Sequence, residues 1–198
     1  MKIIITGAAG FIGFHLAIVL LKNKNCEVFG IDNLNNYYSN ILKKNRIKIL
    51  KKHKNFHFKL LDLKVYKKSF EIIKKIKPDA IYHLASQPGI MYSFKNPKTY
   101  QKNNIDVTMN LIKICKKVLP KKFYFTSSSS VYGNQKTYPL NENAKLIPIN
   151  FYAKTKKKCE YLLQKNFKQS SIDLKIFRPF TVYGPYARPD MLFITYLL

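Results

Sequence analysis

The chain of 198 residues is 46% hydrophobic, 14% aromatic and 23% charged, a composition that supports one folded domain and excludes a disordered tail. Its formal charge of +26 comes from 36 basic against 10 acidic residues; its three cysteines, Cys26, Cys115 and Cys159, lie far apart without a CxxC pair, which excludes a disulfide scaffold and fits a reducing cytosol. No apolar run reaches the ~18–20 residues of a membrane span, and the opening MKIIITG is too short for a signal-peptide core, so a cytoplasmic protein without membrane contact is expected.

Lys2–Thr6 is a β-branched run that leads into a glycine-rich turn and predicts a first strand. Ile12, Leu16, Val19 and Leu20 then recur at helical spacing and predict the apolar face of a first helix. Glu27–Ile31 reads as a second strand, Ile41–Leu50 as a second helix and Phe56–Leu61 as a third strand. Phe70–Ile76 reads as part of a third helix that Pro78 ends, and Ala80–Leu84 as a fourth strand. A longer helix is predicted over Tyr100–Leu119, with stripes Ile105/Met109/Ile112 and Leu111/Cys115/Val118, stopped by Pro120. Lys122–Thr126 follows as a fifth strand, a loop runs to Asn150, Tyr152–Phe167 is helical, and Leu174–Phe177 is a sixth strand. Such alternation predicts an α/β fold: a single Rossmann-like, doubly wound parallel sheet with helices on both faces.

Arg46, Arg178 and Arg188 are the only arginines, so 33 of the 36 basic residues are lysine, a hydrated point charge rather than the fork that reads bases and phosphates. Lys43, Lys44, Lys48, Lys51 and Lys52, then Lys67, Lys68, Lys74 and Lys75, are expected on water-facing sides of helices. The charge therefore reads as a solvated surface that draws anionic ligands, not as a specific nucleic-acid footprint.

The first strand feeds directly into Gly7-Ala8-Ala9-Gly10-Phe11-Ile12-Gly13. Glycines at this spacing allow a tight turn, close approach of backbone to a pyrophosphate, and tight packing of the following helix. Asp32 lies 19 residues beyond Gly13 at the end of the second strand, where a carboxylate accepts hydrogen bonds from ribose hydroxyls and repels a 2′-phosphate. That pair of features favours NAD over NADP. Further on, Tyr152 and Lys156 are spaced to share a helix face, where an ammonium beside the phenol would lower its pKa and make Tyr152 a general base. The spacing alone carries little among 14 tyrosines and 33 lysines. It gains weight from Thr126-Ser127-Ser128-Ser129-Ser130, which places hydroxyls at the carboxyl edge of the sheet, although four serines also suit a solvated turn.

With these residues in view, the chain resembles the extended short-chain dehydrogenase/reductases, the NAD-dependent sugar epimerase/dehydratase group. The likeness runs through TGAAGFIG at 6–13, GIDNLNNYY at 30–38, LDL at 61–63, HLASQPG at 83–89, SSSSVYG at 127–133, YAKTK at 152–156 and FRPFTVYGPYARPDM at 177–191. Within the group it is most similar to UDP-glucuronate 4-epimerases. The resemblance implies a catalytic set of Ser128, Tyr152 and Lys156. It implies a cofactor site of Gly7, Gly10, Phe11, Ile12, Gly13, Asp32, Asn33, Asp62, Leu63, Leu84, Ala85, Ser86, Phe180 and Val182, with Tyr152 and Lys156. Gln87, Ser128, Ser129, Ser130, Thr181 and Arg188 would hold a nucleotide sugar, a UDP-hexuronate or UDP-hexose.

The same likeness separates reactions. Dehydratases of the group carry Asp-Glu where Ser129 and Ser130 stand, and decarboxylases carry Glu at the Ser130 place, so both chemistries lose their carboxylate here. Met91 departs from the group's pattern, which carries Arg there. The implied reaction is 4-epimerisation through a 4-keto sugar, with no metal. Alternatives are another short-chain sugar enzyme, such as a UDP-glucose 4-epimerase or a reductase, and a non-catalytic NAD-binding fragment. The family pattern also implies that a C-terminal substrate domain should follow residue 198, and that a full-length protein forms homodimers through the helices at 100–119 and 152–167. His53 and His57 alternate with Phe56 and Phe58 and are not expected to bind metal; His83 and Cys159 are expected in the core.

Overall fold

The computed structural model describes residues 1–188, so Pro189, Asp190 and Met191 of the last family string lie outside the described residues. Six parallel strands, β1 (Lys2–Thr6), β2 (Glu27–Asp32), β3 (Phe56–Leu60), β4 (Ala80–His83), β5 (Lys122–Thr126) and β6 (Asp173–Phe177), run in the order β3-β2-β1-β4-β5-β6. The order reverses between β1 and β4, which opens a crevice at the carboxyl edge of the sheet. This is the doubly wound, Rossmann-like sheet that the strand–helix alternation predicts.

Alternation along β1 sends its isoleucines to two separate cores. Ile3 and Ile5 pack with Val28 and Phe56 under α1 (Phe11–Leu21) and α2 (Asn40–Leu50). Ile4 joins Ile31, Ile81, Phe123 and Phe125 on the opposite face. There α3 (Tyr66–Ile76), α6 (Val107–Val118) and α7 (Phe151–Phe167) cover the sheet. Two short helices, α4 (Ile90–Lys95) and α5 (Pro97–Tyr100), precede a π-helical segment Gln101–Asp106 that runs into α6.

Three expectations change. The helix predicted over Tyr100–Leu119 is wound wide at Gln101–Asp106. Of the predicted face of the first helix, Leu16 and Leu20 are half-buried against the core but Ile12 and Val19 are exposed, Val19 by 61%, while Phe11, Gly13, Phe14, Ala17 and Leu21 are the buried residues. Its sequence is apolar all round, and the small Gly13 and Ala17 admit the closer backbone approach, so size rather than hydrophobicity selects the face. Lys43 is not water-facing either. It is buried, and its Nζ donates to the Asn35 backbone carbonyl at 2.6 Å and side-chain oxygen at 2.9 Å.

Candidate active site

At the carboxyl edge a cleft of about 420 Å³ runs from the end of β2, across the β1–α1 turn, to the end of β5. That volume lies within the range of small-molecule sites. The turn is held by backbone: Gly7 N–H donates to Ile31 O at 2.8 Å, and Gly10 N–H to Gly7 O at 2.9 Å. Gly7 takes φ +73°, and a Cβ there would stand 2.8 Å from Ala85 N; one on Gly13 would run into the Gly7 carbonyl. Asp32 closes the arrangement, accepting from Ala9 N–H at 3.1 Å and Leu34 N–H at 2.8 Å. Burial raises its carboxyl above the ordinary value, and the two amides, Lys43 and Arg46 pull it back.

Asn150 caps α7 by accepting from Ala153 N–H at 2.8 Å, which fixes the first turn where Tyr152 projects. One turn on, Lys156 is buried; its Nζ donates to Thr126 O at 2.8 Å and lies 5.0 Å from the Phe125 ring centre. Burial pushes the ammonium down to about 8. Ser128 Oγ begins a 3₁₀ turn, Ser129–Tyr132, by accepting from Ser130 N–H at 3.2 Å. The expected lowering of Tyr152 by Lys156 is not found. Burial raises the phenol, and a hydrogen bond with Ser128, then the charge of Arg188, partly oppose it. The physical reason is distance from water: desolvation penalises phenolate, and the ammonium is committed to the Thr126 carbonyl.

Arg178 anchors the far side, donating from Nε at 3.1 Å and from Nη2 at 2.8 Å to the buried Glu160 carboxylate, and from Nη1 to Tyr132 OH at 3.1 Å. This ties α7, the serine turn and the strand that leads to Phe180 and Thr181 into one body.

The cleft gathers the glycine turn, Phe11, Ile12, Asp32, Asn33, Asp62, Leu63, Leu84, Ala85, Ser86, Ser128, Ser130, Tyr152, Lys156, Phe180, Thr181, Val182 and Arg188. Two expected substrate contacts stand outside its lining. Gln87 is buried, its N–H donating to Asn104 Oδ1 at 2.7 Å and its side-chain amide turned onto Pro88 O. Ser129 is the first residue of the 3₁₀ turn, its N–H donating to Pro179 O at 3.0 Å.

The structure adds residues beyond the site set expected from the sequence. Tyr37, Tyr38, Lys43 and Asn35 line the cleft, and Asn104 in the π-helical segment also donates to Thr155 Oγ1 at 3.0 Å. A break in helical register after Tyr100 is the only signal that singles out Asn104, and periodicity alone does not show it. His83 is a core residue, as expected. Thr108 donates to Asn104 O, so its Oγ1 accepts from His83 Nε2 at 3.1 Å, and Nδ1 accepts from Thr6 at 2.8 Å; burial drives the imidazole down to about 3 and keeps it neutral. Cys159 is likewise buried, and burial raises its thiol. His57 stacks on Phe29 and pairs with Glu27, and no metal-binding cluster occurs among the described residues. No described helix is long and apolar enough to cross a membrane.

The model of the GDP-mannose 4,6 dehydratase family matches residues 4–196. The chain belongs to that family. It is thus an extended short-chain dehydrogenase/reductase of the epimerase/dehydratase group. A UDP-glucuronate 4-epimerase of Thermodesulfobacterium geofontis is 39% identical over 189 residues, which make 95% of this chain and 58% of that protein. The crystal structure of the Bacillus cereus UDP-glucuronic acid 4-epimerase with UDP-glucuronic acid and NAD is 40% identical, superposes with a TM-score of 0.89, and is matched over 96% of this chain and 60% of that one. The UDP-Glc/GlcNAc 4-epimerase of Campylobacter jejuni is 32% identical with a TM-score of 0.82, over 89% of this chain and 52% of that one. The family member described here therefore spans 52–60% of the length of these relatives.

Proposed function

We propose that residues 1–198 form the NAD-binding domain of a cytoplasmic nucleotide-sugar 4-epimerase that interconverts UDP-glucuronate and UDP-galacturonate. The observation that carries this reading is a single cleft with the glycine turn and Asp32 at one end and Ser128, Tyr152 and Lys156 at the other. The likeness to relatives that bear the same activity supports it.

The residues fit a dinucleotide. Without a Cβ at Gly7 and Gly13 the turn packs directly on Ala85 and on the Gly7 carbonyl, which sets the N-terminus of α1 at the cleft, where it suits a pyrophosphate. Asp32 and Asn33 would take the ribose, Asp62 and Leu63 the adenine, and Leu84, Ala85, Ser86, Phe180 and Val182 the nicotinamide side. When bound, NAD supplies a reversible hydride acceptor next to the sugar. Tyr152 exchanges the C4 hydroxyl proton: the phenolate takes it, and the phenol returns it to the keto oxygen. Ser128 hydrogen-bonds the phenol, and Lys156 holds the Thr126 carbonyl and places positive charge behind the site. Ser130, Thr181 and Arg188 would hold the sugar, the guanidinium matching a carboxylate at C6. Ser129 and Ser130 offer no carboxylate base, so elimination of water is not the reaction.

Chromatography of the products formed by the full-length protein from a panel of UDP-sugars tests the reading. The expected product from UDP-glucuronate is UDP-galacturonate, and Tyr152→Phe lowers turnover by ~10²–10⁴-fold while leaving NAD binding intact. Faster turnover of UDP-glucose than of UDP-glucuronate would move the substrate to a neutral hexose. Calorimetry on the chain itself should show NAD bound more tightly than NADP, and equal affinities would remove the role given to Asp32.

A further inference from the structure

Arg46 has no part in the proposed chemistry, yet it is the largest of the fully buried side chains among the described residues. Taking an arginine out of water is costly unless its donors are met, and here both Nη groups are met while the buried Nε has no partner among the described residues. Its acceptors come from three segments far apart in sequence. Nη1 donates to Ala9 O in the glycine turn at 2.8 Å and to Tyr38 OH at 2.7 Å, and Nη2 donates to Tyr186 O. The last contact spans 140 residues of chain.

Tyr186 belongs to a turn closed by Ala187 N–H donating to Gly184 O at 3.2 Å, and it takes φ +63°. The turn is seated on α1: the Tyr186 ring meets the edge of Phe14 at 5.3 Å, and His15 Nε2 donates to Pro185 O at 2.9 Å. Arg188 follows directly, its guanidinium 5.4 Å from the ring centres of both Tyr37 and Tyr38 in the lining of the cleft. One guanidinium thus fastens the turn that presents Arg188 to the backbone of the turn that would receive a pyrophosphate.

We propose that Arg46 is a positioning residue that couples the glycine turn to the 184–188 segment, so that order at the cofactor end of the cleft and placement of Arg188 depend on each other. The cofactor half of this statement rests on the proposed function; the structural half does not. Lysine cannot replace the fork, because one ammonium cannot serve acceptors that diverge in the guanidinium plane.

Amide hydrogen exchange on the full chain, without ligand and with NAD, tests this with R46K and R46M. Without ligand, exchange at Tyr186, Ala187 and Arg188 should rise about tenfold in both variants, while α6 on the opposite face keeps wild-type protection. With NAD, those amides should slow in the wild type and not in the variants, and NAD should bind about tenfold more weakly, since coupling acts equally in both directions. Unchanged exchange at 186–188 in folded R46M overturns the proposal, as does full rescue by R46K. Should R46M not fold, Y38F removes one acceptor while keeping the ring, and exchange at 186–188 is read in the same way. A wild-type chain that fails to bind NAD refutes the functional reading, and the ligand-free comparison then decides the role of Arg46 alone.

Discussion

The two ends of the cleft meet opposite physical demands. At the glycine turn the requirement is that side chains be absent: Gly7 and Gly13 leave no room for a Cβ against Ala85 and the Gly7 carbonyl. Around Tyr152 the requirement is that ionisable groups be present where burial disfavours their charge. Lys156 is pushed down to about 8, the Tyr152 phenol is raised, and His83 nearby is driven down to about 3. The first end is governed by a steric threshold that no change of solvent moves. The second holds a free-energy cost that pH can add or relieve, a common trade where function needs a charge that folding does not.

The sharpest way to break the steric end is Gly13→Ala. Its methyl group would collide with backbone that cannot rotate away, so a loss of roughly 3 kcal/mol in stability and loss of NAD binding are expected. Urea unfolding and calorimetry check both, and an alanine variant with wild-type affinity would show that the turn can widen. The charged end should respond in the other sense. Holding Lys156 protonated at pH 7 with a pKa of about 8 against 10.5 costs roughly 3 kcal/mol, so Lys156→Met is expected to gain about 2 kcal/mol after loss of the Thr126 bond. Because the folded chain binds fewer protons than the unfolded one between about 8 and 10.5, the wild type gains stability through that window and the advantage of Met shrinks. Urea midpoints at pH 7 and pH 10 would show it; a constant gap would mean packing, not charge, is responsible.

A smaller effect comes from His83, which sharpens the contrast because it is neutral and fully bonded. Its folded value of about 3 lies below the ordinary 6.5, so the unfolded chain takes up a proton first as pH falls. The wild type should lose ~1.4 kcal/mol per pH unit below 6.5 from this group, a slope that His83→Gln removes. Melting at pH 7 and pH 5 compares the two, and parallel losses would place the acid sensitivity elsewhere.

The steric end was also the more legible in sequence. Glycines after a β-branched run and an aspartate after the next strand announce a backbone constraint directly, and the alternation of periods gives the order of elements. The charged end was only half legible. Tyr152 and Lys156 can be placed on one helix from spacing, but the direction of the phenol's shift depends on burial and on the Thr126 carbonyl, neither of which spacing reveals. Polar residues that turn inward were misread for a related reason. Lys43 carries charge in an amphipathic helix and reads as water-facing, yet its partner lies at Asn35; Arg46 on the same helix, to which sequence reasoning assigns no role, finds Ala9 and Tyr186, brought near only by the fold. The first helix shows the converse, since in FIGFHLAIVLL no polar face exists to betray which side packs.

The chain holds 14 tyrosines and no tryptophan, so its intrinsic ultraviolet emission is that of phenol alone. Tyr37, Tyr38 and Tyr152 all border the cleft, two of them beneath the Arg188 guanidinium. A guest in the cleft would change the surroundings of these three phenols, two of them next to a guanidinium. The protein therefore carries its own optical reporter of occupancy, one that reads out in a cuvette at native sequence, without a label and before any turnover has begun.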